Sequence, residues 1–391
     1  MRPTLLCFAG DVWDGNPHSR HHLATRFAAE FDVLFIEGVP MRSVAYGDRH
    51  ELRRIVGKLR SRAKLRMVRE GLHVLRPLPV PPAGPVGRRL QLAALRHAVL
   101  GACRELRLDG PRISWFSVPV AAPLRGKLGD RASVFYYQDR YDAFSHVDAA
   151  ALQRHVADLA RGCDLSIATA DSLAADLREH GAEPLVVPHA VDVDRFAGTF
   201  PMPSDLADLE PPLIGCVGLI DDYLSFDALR AVADSLDQGT VVMVGGFNVD
   251  PSTLEHPRIA LLGRKPYADI PAYVAHFRTC LIPFALNRLT VGVNPIKLRE
   301  YLAAGRPVVS TALPEVEPYG DVVRLVREPG DFVAAVRESL APDVDDEAAR
   351  ARRRARVSGE SWDDAAATIA ARMHQLVAQS GSVALSAVAT R

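Results

Sequence analysis

Short runs of β-branched and aromatic residues alternate with longer stretches in which apolar positions recur at helical spacing, nearly throughout the chain. In the first half the strand-like runs are Leu5–Ala9, Val33–Glu37, His73–Leu75, Ile113–Phe116, Val134–Gln138, Leu165–Ala168 and Leu185–Val187. Helical periodicity fills Ser19–Glu30, Arg88–Leu106, Ala149–Arg161 and Ser172–His180, the last capped by Asp171 or Ser172. The second half repeats the plan with strands at Leu213–Val217, Val241–Gly245, Ile259–Leu262, Cys280–Pro283, Val308–Ser310 and Val322–Val326. Such alternation predicts an α/β protein built on parallel sheets. Pro201, Pro203, Pro211 and Pro212 interrupt the pattern, and proline cannot continue a ladder, so residues 196–212 read as a linker. The expected organisation is a Rossmann-like domain over 1–195, a second over 213–360, a helix over 361–379 and a loose tail over 380–391.

Length agrees with that division. At 391 residues the chain suits two cores of roughly 150–200 residues each. Its 48% hydrophobic and 24% charged residues are ordinary for a globular protein, and a formal net charge of zero argues against a nucleic-acid partner. Charge is unevenly placed, however. Between Arg49 and Arg69 only Glu51 opposes a dense series of arginines and lysines, with Leu52, Ile55, Val56, Leu59 and Leu65 interleaved. This reads as a basic amphipathic helix able to lie on an anionic membrane surface, and a solvated helix fits the same pattern. The five cysteines form no CxxC pair and read as small buried hydrophobes in a reducing compartment. No apolar stretch approaches the ~20 residues of a membrane span, and Met1–Gly10 is too short in its apolar part for a signal peptide. A cytoplasmic protein is expected, peripheral on the inner face of the membrane if 49–69 docks there.

In open α/β sheets, ligands bind beyond the carboxyl ends of the strands, so chemistry is sought in the loops that follow them. After the run Cys280–Pro283, the segment Asn294-Pro295-Ile296-Lys297-Leu298-Arg299-Glu300 has the form of a helix start, with Asn294 as N-cap and Pro295 at the first helical position. A helix N-terminus suits a phosphate. Lys297, one of only five lysines, sits in that first turn, where a cation opposes the helix dipole unless an anion is near. Glu300 shares its face at i+3. An ordinary Lys–Glu surface pair on a capped helix fits the same spacing.

This segment, together with Val187-Pro188-His189-Ala190-Val191-Asp192 and Phe196, resembles the GT-B glycosyltransferases of family four. Within that family the likeness is strongest to a bacterial branch that includes teichuronic acid biosynthesis enzymes. The resemblance implies two doubly wound Rossmann-like domains facing a central cleft, with the N-terminal domain on the acceptor side and the C-terminal one binding a nucleotide-sugar donor. It further implies that Glu300 holds the donor ribose and Lys297 meets the diphosphate. The pattern departs from the family at two places. A second glutamate, common eight residues before the first, is replaced by Gly292. The cation usual after the first strand of the second domain is missing, because Gly218 is followed by Leu219-Ile220-Asp221-Asp222. Arg264 or Lys265 would then assist Lys297.

In the first half, Gly15 and Asn16 permit a tight loop after Leu5–Ala9, and Ser19 can cap the next helix. The loop would carry Trp13, Gly15 and His18 to an acceptor, with an indole for a sugar ring, and Arg20 to a phosphate. His18, His21 and His22 lack carboxylates at metal-ligand spacing, so no metal is expected there. Asp139, at the end of Val134–Gln138, is the candidate general base. A purely structural Asp139–Arg140 turn fits too, and His146 is a second candidate. Asp192-Val193-Asp194 matches a DxD metal motif, but the resemblance accounts for it otherwise, and no obligatory metal is expected.

The leading expectation is transfer of a hexose from a UDP- or GDP-sugar to a hydroxyl on a glycan, polyprenyl-linked intermediate or small molecule, in polysaccharide biosynthesis of the cell envelope. Retention of configuration is what the family implies. A sugar-nucleotide epimerase of the same fold, or a nucleotide-binding protein without catalysis, would share the donor segment.

Overall fold

The structure is a computed structural model and describes residues 1–39, 64–78, 84–145 and 147–389. The chain forms two compact units, one of Met1–Pro188 with Asp363–Arg391 and one of His189–Trp362.

In the first unit the strands are β1 (Thr4–Phe8), β2 (Asp32–Ile36), β3 (Lys64–Arg69), β4 (Leu72–Arg76), β5 (Arg112–Phe116), β6 (Asp130–Tyr137), β7 (Leu165–Ala168) and β8 (Leu185–Val186). They lie in the order β3-β4-β2-β1-β5-β6-β7-β8. All neighbours run parallel except β3 and β4. Helices α1 (Ser19–Phe27), α2 (Gly84–Glu105), α3 (Ala149–Gly162) and α4 (Asp171–Glu179) connect them. Because covering helices bury both faces, the central strands are apolar on successive residues: every residue of β1 is buried.

The second unit has β9 (Leu213–Val217), β10 (Thr240–Val244), β11 (Ile259–Gly263), β12 (Thr279–Ile282), β13 (Val308–Thr311) and β14 (Arg324–Val326), ordered β11-β10-β9-β12-β13-β14 and all parallel. Its helices are α5 (Val193–Phe196), α6 (Ser204–Ala207), α7 (Phe226–Asp234), α8 (Ile270–His276), α9 (Ile296–Ala303), α10 (Phe332–Ser339) and α11 (Glu347–Val357). Residues 196–212, read from the sequence as a linker, lie inside this unit because Phe196 and Leu206 are buried in its core.

Two expectations change. Residues 64–69 form a strand, not the end of a basic helix: β3 is an exposed edge strand paired antiparallel to β4, and its alternating cations face solvent. Positions 49–63 lie outside the described residues. The tail expected to be loose continues α12 (Trp362–Ala389), which begins with Trp362, buried in the second unit. Among the described residues no helix is long and apolar enough to cross a membrane.

A single carboxylate ties the lower part of the second unit together. Asp345 is buried and meets Arg350 at 2.8 Å, Arg353 at 3.2 Å, Arg278 at 3.3 Å and Arg306 at 3.5 Å. The guanidinium groups also cap helix ends, Arg353 donating to the Gly305 carbonyl after α9 at 3.1 Å and Arg278 to the Leu340 carbonyl after α10 at 3.2 Å. Carbonyls at helix C-termini carry partial negative charge and so share the neutralisation. Burial opposes ionisation of Asp345, but the Arg350 hydrogen bond and the surrounding cations hold its carboxyl below the usual range. Replacing it leaves the buried Arg353 and three partly buried arginines without their carboxylate, so Asp345→Asn is expected to cost about 3 kcal/mol in urea unfolding. A carboxylate with a depressed folded pKa stabilises fully above its unfolded value of about 4. That contribution disappears as pH falls through the lower folded value, so the gap between wild type and Asp345→Asn should begin to narrow below about pH 4 and close only below that folded value.

Candidate functional site

In the second unit the chain winds outward from β9 through β10 and β11, then crosses back to β12. The strand order therefore reverses between β9 and β12, and crevices form at such reversals. Here the two strands pair only at Thr279↔Ile214 and Cys280↔Gly215. Beyond that point Tyr301 of α9 takes the place of a neighbouring strand, accepting from the Val217 N–H at 2.7 Å. Gly218 follows at φ +152° with open space where a side chain would stand, and its carbonyl lies 1.6 Å from where a Cβ of Gly245 would be. Glycine is therefore required at 245 for the two loops to pass.

Helix α9 begins at this reversal. Pro295 is the extended residue before its first turn. Asn294 does not cap it: the amide is buried, donating to Glu315 at 2.8 Å and accepting from Arg299 at 2.6 Å. Arg299 is buried as well, bound to Glu360 at 2.6 Å and set against the Tyr319 ring at 5.5 Å. Ile296 is half-buried. Lys297 Nζ lies 2.5 Å from Glu300 Oε2, and Glu300 is only 1% exposed, so this pair is not a surface one. The other oxygen, Oε1, accepts from the Tyr267 hydroxyl at 3.1 Å. Lys297 also lies 5.7 Å from the Tyr267 ring centre, and Arg195 lies 5.1 Å from it. Sequence reading passed over Tyr267, which is 33 positions from Glu300. Arg264 is exposed beside Gly246, and Lys265 is bound to Asp205 at 2.6 Å.

In the first unit the order reverses between β1 and β5. The loop after β1 is fixed by Glu37 at the end of β2, which accepts from the Trp13 N–H at 2.7 Å and pairs with Arg76. Trp13 is half-buried, edge-on to Phe35 at 4.9 Å and tilted on His21 at 5.3 Å. Gly15 and His18 are exposed. His18, not Ser19, precedes the first turn of α1, and its N–H donates to His21 Nδ1 at 3.0 Å. That leaves His21 Nε2–H for the Val12 carbonyl at 3.3 Å, a neutral tautomer consistent with burial pushing its pKa down to about 4. Ser19 is buried and donates to Gln138 at 3.2 Å, joining the start of α1 to the end of β6.

Arg20 is buried and pairs with Asp11 at 2.8 Å. Burial opposes its charge, but the carboxylate of Asp11, aided by Asp139, favours the protonated form. Asp139 lies half-buried just past β6, and burial pushes its carboxyl up to about 6 against the pull of Arg20. Asp11 was not singled out from the sequence, although it follows a strand end as Asp139 does. His146 lies outside the described residues. Asp192 of the DxD match is 3.9 Å from Arg195, and no group of three or more His, Cys, Asp or Glu suited to a metal occurs among the described residues.

Residues 211–341, which include both the order reversal and α9, match the family described as Glycosyl transferases group 1. The match lies wholly within the second unit. A Bacillus subtilis protein named as a teichuronic acid biosynthesis glycosyltransferase, TuaH, is 30% identical over 173 residues, covering 41% of this chain and 43% of TuaH. The match thus spans less than half the length of that relative. Sucrose-phosphate synthase of Thermosynechococcus elongatus superposes with a TM-score of 0.71 at 15% identity, over 96% of this chain and all of that one. Anabaena Alr3699/HepE in complex with UDP-glucose gives 0.65 at 16% identity, over 95% of this chain and 99% of that one. The fold is GT-B.

The Arg20 and Asp139 charges are read against one another by titration. Carboxyl-carbon NMR should find Asp139 ionising near 6, and Arg20→Met should move it higher by removing the opposing cation. An Asp139 titration unmoved by Arg20→Met would show the two do not interact.

Proposed function

We propose that the protein transfers a sugar from a nucleoside-diphosphate sugar to a hydroxyl acceptor. The observation that carries this reading is the buried Glu300 with Lys297 at 2.5 Å in the first turn of α9, at the point where the strand order reverses. A helix N-terminus offers unpaired N–H groups to a phosphate, and a lysine there supplies the point charge. Lys297 would leave Glu300 for the diphosphate, and Glu300 would accept from the ribose hydroxyls. UDP-glucose bound to HepE and the name of TuaH support a UDP-sugar donor and a cell-envelope glycan acceptor, polyprenyl-linked or free.

In the reaction the bond between the sugar's anomeric carbon and the diphosphate oxygen breaks, and the acceptor oxygen bonds to that carbon. Lys297 neutralises the negative charge gathering on the leaving diphosphate. Asp139 takes the acceptor's proton, and Arg20, fixed by Asp11, holds an anionic group of the acceptor. Trp13, Gly15 and His18 line the acceptor side; Gly218, Arg264, Asn294, Pro295 and Ile296 border the donor.

Calorimetry with UDP and GDP tests the donor half: Lys297→Ala and Glu300→Ala should each weaken binding about tenfold or more. Unchanged affinity in both variants would remove the donor assignment. Asp139→Asn should keep nucleotide binding and lose acceptor-dependent release of nucleoside diphosphate. A base ionising near 6 makes wild-type turnover fall as pH drops below about 6. An epimerase would instead convert the nucleotide sugar with no acceptor present.

A further inference from the structure

We propose that Tyr267 is a positioning residue for the donor ribose: its hydroxyl holds Oε1 of Glu300 so that Oε2, once Lys297 leaves it, faces the ribose diol. The inference rests on the donor reading above and assigns a residue that reading does not use.

A buried carboxylate is tolerated only when its oxygens have partners. In Glu300 the two oxygens are served by different kinds of group. Oε2 is held by an ammonium on a flexible four-carbon stem, and Lys297 remains partly exposed, with a side-chain exposure of 29%. Oε1 is held by a phenol on a ring with little freedom. That ring packs edge-on to Phe196 at 6.4 Å, with Arg195 and Lys297 over it at 5.1 and 5.7 Å. Burial and the neighbouring Glu300 carboxylate push the phenol far above its ordinary range, so Tyr267 stays a donor. One contact can be given up on ligand binding and the other cannot. When an arriving diphosphate draws Lys297 away, Glu300 would otherwise be a buried carboxylate free to turn about its last torsion. The Tyr267 bond fixes that torsion and leaves lone pairs of Oε2 for hydroxyl donors. The ring also seats Lys297 near Glu300 before the nucleotide arrives.

The test separates ribose recognition from general damage. Dissociation constants are measured by calorimetry for UDP, or GDP if that is what wild type binds, and for its 2′,3′-dideoxy form. Wild type should prefer the ribose form by about tenfold or more, the worth of a hydrogen bond to a charged group. Tyr267→Phe keeps the ring under Lys297 and Arg195 and removes only the hydroxyl. It should cut that preference to about threefold or less and leave the dideoxy constant unchanged. Glu300→Gln should reduce the preference with Tyr267 still in place. If Tyr267→Phe weakens both nucleotides by the same factor, or changes neither, the positioning role is overturned while the donor reading stands. A wild-type protein that binds neither UDP nor GDP overturns the donor reading and this inference with it.

Discussion

A parallel sheet whose strand order reverses must leave two neighbouring strands with their connections running to opposite sides, and the backbone there needs partners from elsewhere. This constraint bears on Lys297, Glu300 and Arg20. In the second unit β9 and β12 share only two paired positions, and a tyrosine hydroxyl from α9 satisfies the orphaned Val217 N–H. The helix that supplies Tyr301 therefore cannot move away from the reversal without leaving a buried donor unpaired. Lys297 and Glu300 inherit their positions from that bond. In the first unit β1 and β5 pair along their full length. The opening there begins only after Phe8, at Gly10 and Asp11, where Arg20 is brought in by α1.

Both units bury charge at these openings, and in each case the charge is held in a pair or network. Arg20 is paired with Asp11, Arg299 with Glu360 and Asn294, and Glu300 with Lys297 and Tyr267. Buried ion pairs of this kind contribute little net stability compared with apolar packing. Their worth is in orientation, because each partner fixes the other's rotamer in a setting with little competing water.

Much of the fold was legible in the sequence because both faces of a parallel strand are buried. Leu165–Ala168 and Leu213–Val217 have the bounds that their apolar runs predict. β3 was misread because an exposed edge strand alternates cations with apolar residues, and that pattern is close to a basic helix. Asn294 looked like a cap because it precedes a proline and a helical run. Its amide is instead claimed by Arg299 and Glu315, which no local spacing announces. Lys297 and Glu300 could be read since they lie on one turn. Tyr267, Tyr301's bond to Val217 and the Asp11–Arg20 pair depend on contacts between separate segments. Only Asp11, three residues beyond the end of β1, carried a local signal.

Helix α9 is held at both extremities. At its start Arg299 binds Asn294 and Glu360, and past its end Arg353 grips the Gly305 carbonyl while Arg306 faces Asp345. Mechanically it is a short beam clamped at each end, unable to tilt or slide to suit a guest. Any accommodation must come from the lysine stem, which can swing while the backbone stays still. A guest seated there would meet little backbone reorganisation, and the seat would make few allowances for one whose charged and hydroxyl groups are differently spaced.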